Sequence, residues 1–173
     1  MTRPDGDEAA QAAKLRHDAA LAAMVEGVPY IRFLGIGFDR RGDEVTGVLP
    51  FREMLVGNPS LPALHGGVTA AFLEVTAIVS LGWILLRDTA TSGGEGPVAG
   101  DARPTLPRLP RTIDFTVDYL RSGLPRDAYA RAEITRSGRR YASVRVEAWQ
   151  DDRARPIAQA VGHFLVPQQG PRG

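Results

Sequence analysis

The sequence predicts an α+β fold in which an antiparallel β-sheet wraps one long central helix, with an extra helix at the N-terminus. Three observations carry that prediction. Gly66 to Leu86 is predominantly apolar and carries Glu74 as its only charged group, the signature of a helix buried in protein. From Arg111 the pattern changes to a period of two, with Ile113, Phe115, Val117 and Tyr119 alternating with Thr112, Asp114, Thr116 and Asp118. Further strand-like runs then follow at short spacing, and strands joined so closely pair antiparallel, because a parallel pair needs a crossover of a dozen or more residues.

Taken in chain order, Asp7 to Glu26 reads as an amphipathic helix with Leu15, Leu21, Met24 and Val25 as its apolar contacts and Gly27 and Pro29 as its stop. His17 falls on its solvated face. A first strand region spans Phe33 to Phe51, broken by a turn at Arg41-Gly42-Asp43, and a loop rich in Pro, Asn and Gly covers Met54 to Leu64. The apolar helix begins at His65-Gly66-Gly67. After Arg87, the segment Asp88 to Pro110 is so rich in Pro and Gly that it predicts a loop, dispensable for folding and able to tune substrate choice. Strands are expected near Arg111 to Tyr119, Ala128 to Thr135, Tyr141 to Trp149 and Ile157 to Val166, with turns at Ser137-Gly138 and Asp151-Asp152. The expected division is a helical extension over residues 1–30 and one sheet-and-helix domain over residues 31–167.

Composition narrows the function. The 173 residues carry a formal net charge of +1, from 21 basic and 20 acidic residues spread along the chain, which offers no stripe for a nucleic-acid backbone. With no cysteine there is no disulfide framework, thiolate metal site or cysteine nucleophile, and a reducing cytoplasm is the expected location. Residues 1–26 lack the basic flank and apolar run of a signal peptide. Val68 to Leu86 has the length of a membrane span, but Glu74 inside it would cost roughly 2.5–3.5 kcal/mol in a bilayer, so no membrane is expected. Three dispersed histidines make no metal motif. Gly35-Ile36-Gly37 followed by Gly42 imitates a dinucleotide loop but precedes strand-like sequence where that motif needs a helix. His163 reads as a packed or edge residue of its strand.

Chemistry concentrates on the long helix. At 100° per residue Glu74 shares a side with Gly67, Ala70, Ala71 and Ile78, while Thr69, Thr76 and Ser80 form a separate polar stripe. Small neighbours leave room for a ligand or a water beside the carboxylate, which can then act as base, nucleophile or structural acceptor. Gly66 and Gly67 would present backbone N–H groups at the positive end of the helix dipole, where a carbonyl oxygen can be polarised. His65 is suited to orienting this helix start, and Arg139 and Arg140, on a hairpin turn with Arg136 before it, are suited to binding phosphates.

The segment "LHGGVTAAFLEVTA" (Leu64 to Ala77) and the strand "RTIDFTVDYLRSG" (Arg111 to Gly123) resemble the hotdog-fold acyl-CoA thioesterases of the phenylacetate-pathway type, over about Leu34 to Val166. The resemblance implies that Glu74, eight residues after Gly66, is the nucleophile or general base. It implies further that Asn58 and Thr112 hold the thioester and the attacking water, and that the site is shared between subunits. Independently, Gly66 and Glu74 lie about 12 Å apart along one helix, too far to serve one carbonyl carbon together. Two such helices, antiparallel across a two-fold axis, would bring the Gly66 end of one near Glu74 of the other.

The expected function is hydrolysis of acyl-CoA thioesters to free acid and coenzyme A. Glu74, Gly66, Asn58 and Thr112 form the catalytic set, and His65, Gly67, Arg139 and Arg140 the substrate-binding set. No metal or cofactor is expected beyond the coenzyme A of the substrate, and the expected partners are an acyl-CoA and further copies of the chain, as a homodimer or a dimer of dimers. Two other readings stay open at this point: a hotdog hydratase or dehydratase with His65 paired to the acid, and an acyl-binding module without catalysis. A buried charge gives the last nothing to gain.

Overall fold

The computed structural model describes residues 6–91 and 108–167. Helix α1 (Gly6–Glu26) is followed by the short α2 (Pro29–Leu34), strands β1 (Gly37–Arg41) and β2 (Glu44–Leu49), and a single 3-10 turn at Glu53–Leu55. Helix α3 (Gly66–Thr91) and strands β3 (Arg111–Tyr119), β4 (Ala128–Ser137), β5 (Tyr141–Trp149) and β6 (Ala158–Leu165) complete the chain. Among the described residues the strands form one six-stranded sheet in the order β1-β2-β4-β5-β6-β3, antiparallel at every pairing.

The sheet curls around α3, which gives Phe72, Leu73, Thr76, Ala77, Val79 and Trp83 to the core. The inner sides of the strands answer with alanines, valines and one phenylalanine: Ala128 and Ala130 of β4, Ala142, Val144 and Val146 of β5, Ala158, Ala160 and Phe164 of β6. Each large side chain buried in this way stabilises the fold by roughly 1.5–3 kcal/mol. Over Gly66–Arg87 the helix is long and apolar enough to cross a membrane, yet 61% of an 18-residue apolar stretch within it is buried inside the protein.

Close approach of helix and sheet explains one glycine. A Cβ at Gly47 of β2 would sit 2.5 Å from Thr76 Oγ1 and 3.1 Å from a Phe72 ring carbon. The Thr76 hydroxyl is turned back onto the Phe72 carbonyl at 2.8 Å. Gly47→Ala is therefore expected to cost about 1–3 kcal/mol through overpacking. Thr76→Ala in the same chain should return most of it, and thermal melting of both variants checks this. A wild-type melting temperature for Gly47→Ala alone would refute the close approach.

Several expectations are corrected. The first helix ends at Glu26, just before Gly27 and Pro29 as expected, but Pro29 also starts a second helix, since proline is well placed in a first turn. That helix, α2, stops at Gly35, whose φ of 70° is left-handed and whose N–H returns to the Arg32 carbonyl. The glycines that imitate a dinucleotide loop thus join α2 to β1. On α1, Leu21 and Met24 are buried but Leu15 is 60% exposed. His17 is half-buried with its ring edge-on to Trp83 at 5.2 Å, so it belongs to the docked face of α1 and not to a solvated one. Of the expected loop Asp88 to Pro110, residues 88–91 continue α3, and residues 92–107 lie outside the described residues.

The strands after α3 also do not run as one meander. β4, β5 and β6 do, but β3 crosses to the far side and pairs with β6, while β4 pairs with β2. The crossing is tied by the buried Gln150, whose side chain accepts from the Leu124 N–H and donates to the Leu124 and Arg126 carbonyls at 2.9–3.0 Å.

Candidate active site

Glu74 lies about a third of the way along α3 on the side that the sheet leaves half-covered, in line with Gly67, Ala70 and Ile78. Opposite, Thr69, Thr76 and Ser80 are buried against the sheet. The all-round apolar helix is therefore fully enclosed on only one side by its own chain, and the open side is the one that carries the acid.

The Thr112 hydroxyl donates to Glu74 Oε1 at 2.7 Å, so the structure brings these two expected site residues together. How Thr112 reaches the acid is a matter of register. Thr112 stands opposite Phe164 of β6 and Asp114 stands opposite His163, which leaves Ile113 as an extra residue in a β-bulge. Strict alternation back from Phe115 and Val117 would turn Ile113 toward the helix and Thr112 away. The bulge gives the inward position to Thr112 and leaves Ile113 51% exposed. On the outer side, the Asp114 carboxylate bonds His163 Nδ1 at 2.8 Å, and the His163 ring stacks on Tyr141 with centroids 5.3 Å apart.

At the start of α3, His65 acts as the N-cap. Its carbonyl accepts the first helical bond, from the Thr69 N–H at 3.0 Å, and its Nδ1 accepts from the Gly67 N–H at 2.9 Å. A ring nitrogen that accepts carries no proton, so the imidazole holds its proton on Nε2. Of the two glycine donors, Gly67 is thereby spent on His65, and the Gly66 N–H meets no acceptor among the described residues. Tyr119, at the far end of β3 from Thr112, donates its hydroxyl to the Gly66 carbonyl at 2.8 Å. An open groove of about 410 Å³ runs past Gly66 between Leu64, Thr69, Tyr119, Gly123 and Ile157, and Glu74 is not part of it.

Other expected residues stay apart from the acid within one chain. Asn58 is exposed on the 56–64 loop, which is closed by a Val56–Leu64 bridge, and its side-chain oxygen accepts from the Ser60 N–H at 2.9 Å. Arg139 and Arg140 are exposed on the turn between β4 and β5, at the end of the sheet where Tyr141, Leu165 and Arg111 lie side by side. That is the end nearer Thr112. Among the described residues no group of histidines and acids is arranged to hold a metal ion. Sequence reasoning missed Tyr119 as a site residue; its position closing the strand and the small Gly66 opposite it were the available signals.

Residues 61–157 match the model of the thioesterase superfamily. The medium/long-chain acyl-CoA thioesterase YigI of Salmonella typhimurium is 35% identical over 146 residues, which cover 83% of this chain and 88% of YigI. A protein of known structure from Chromobacterium violaceum is 34% identical with a TM-score of 0.61, covering 91% of this chain and 97% of its own. The fold is also that of a phenylacetic acid degradation-related protein from Ralstonia eutropha, at 19% identity and a TM-score of 0.59, covering 85% and 99% of the two chains.

Proposed function

Because the chain belongs to the thioesterase superfamily and is an acyl-CoA thioester hydrolase, we propose that Glu74 is its general base or nucleophile, oriented by Thr112. The observation that supports this is the 2.7 Å bond from the Thr112 hydroxyl to a carboxylate on the open side of α3. That bond occupies one Glu74 oxygen and fixes the carboxyl plane, leaving the other oxygen for a water or the thioester carbon. The Gly66 N–H is the proposed oxyanion donor. It lies about 12 Å away along the same helix, so the complete site takes Glu74 and Thr112 from one subunit and Gly66 from another. Asn58, which points into its own loop within one chain, joins the site from the same partner helix start, and Arg139 and Arg140 meet the phosphates of coenzyme A. By kinship with YigI the acyl group is of medium or long chain. The hydratase reading would pair His65 of one subunit with Glu74 of another, and it is less favoured because His65 Nδ1 is already taken by the Gly67 N–H.

Thiol release from saturated acyl-CoA thioesters of graded length tests the proposal, with turnover expected to rise into the medium and long range. Thr112→Val should lower kcat by roughly tenfold to a hundredfold, the worth of one hydrogen bond to a charged group. Unchanged turnover in that variant would remove Thr112 from the site.

A further inference from the structure

The geometry points to Tyr119 as a positioning residue for the oxyanion donor, an inference that rests on the Gly66 reading above. Two glycines in succession at a helix start sample a wide range of backbone angles, so an N–H placed there is poorly aimed unless something else holds the peptides. Each neighbouring group in this stretch is held. The His65 N–H donates to the Leu55 carbonyl at 2.8 Å, and the His65 carbonyl accepts from the Thr69 N–H at 3.0 Å. In the next peptide the Gly67 N–H is bound by His65 Nδ1 at 2.9 Å, and the Gly66 carbonyl is bound by the Tyr119 hydroxyl at 2.8 Å. The peptide between Gly66 and Gly67 is thus fastened at both ends, by one residue from before the helix and one from β3. The remaining donor is the Gly66 N–H, which lies anti to the His65 carbonyl in a trans peptide and so points away from the helix body.

Tyr119 suits this task. Its ring lies beside the groove at Gly66, and a Cβ on residue 66 would come within 3.3 Å of its hydroxyl oxygen, which accounts for a glycine there. The same strand that carries Thr112 to Glu74 carries Tyr119 to Gly66. β3 therefore holds the acid of one site and the oxyanion donor of its symmetry mate, and does so through two side-chain hydroxyls.

The test compares Tyr119→Phe, Gly66→Pro and the double variant. Proline is tolerated at the first helical position and removes the N–H there; its Cβ also comes within 3.3 Å of the Tyr119 hydroxyl, a crowding that Tyr119→Phe relieves. Tyr119→Phe is expected to lower kcat by about threefold to tenfold, the worth of one neutral hydrogen bond, with KM nearly unchanged because the oxyanion forms only in the transition state. Adding Tyr119→Phe to Gly66→Pro should cost nothing further, since the donor it aims is already gone. Multiplied losses in the double variant would overturn the proposal by showing that Tyr119 acts on its own. So would wild-type kcat in Tyr119→Phe beside a strongly impaired Gly66→Pro, and that outcome leaves the Gly66 reading standing. Full turnover in Gly66→Pro would overturn the oxyanion reading first and the role of Tyr119 with it. Melting temperatures of all three variants separate lost folding from lost aim.

Discussion

Glu74→Gln is expected to lower thiol release by about 10²–10⁴-fold, the usual size of a general-base contribution and equivalent to about 3–5 kcal/mol of transition-state stabilisation. The substitution is close to isosteric, and its amide oxygen can still accept the hydroxyl of Thr112, which now binds Glu74 Oε1. Fold and assembly should persist, because the residue sits on the half-covered side of α3 and not among the side chains that pack against the sheet. An amide can neither take the proton of an attacking water nor form a mixed anhydride with the acyl group. If Glu74 is the nucleophile, the loss reaches or exceeds the upper end of this range. Wild-type turnover in a folded Glu74→Gln chain would exclude both roles.

Two inactive variants should restore each other when mixed. Glu74→Gln lacks the acid, and Gly66→Pro lacks the proposed oxyanion donor. In a mixed dimer whose sites each take Glu74 from one subunit and Gly66 from the other, one site carries both defects and the other carries none. Random assortment makes about half of the dimers mixed, each with one working site of two, so about a quarter of wild-type activity should return. A site made within one chain would give no recovery at all. Activity that stays at the level of the separate variants, with subunit exchange demonstrated by a mass label, would sink the shared site.

Much of this architecture is legible in the residues. The apolar run from Gly66 fixes α3, because no surface helix has that composition, and alternation from Arg111 announces strands whose ends match the observed ones closely. Strand order is not legible: nothing in the alternation of β3 says that its partner is not the next strand but the last, where Phe115 packs on Gly162, while Gln150 holds the 124–126 connection. α2 escapes notice because proline both ends and begins helices. The bulge at Ile113 is likewise hidden, since the period-two pattern runs through it unbroken while the backbone does not. For that reason periodicity alone sends Thr112 to the wrong side of the sheet. Only the family resemblance places it at the site, where the hydroxyl is found on Glu74. Glu74 and Gly66 are readable from local composition; Tyr119 becomes readable only when β3 is laid across the start of the helix.

The docking of α1 has a chemical corollary. With no thiol in the chain, methionine sulfur is the first target of mild oxidants, and two methionines within the described residues differ sharply in access. Met54 is 60% exposed, whereas Met24 is 1% exposed, with its sulfur in the space beside Gly82 of α3 that a Cβ there would crowd at 3.0 Å. Peroxide therefore meets Met54 at once but reaches Met24 only when α1 lifts from α3. A sulfoxide at Met24 would be too polar to return to that seat. Oxidative damage would in this way hold the N-terminal helix open and bare the Trp83 end of the core, and the ratio of sulfoxide at the two positions would act as a clock for how often that helix lets go.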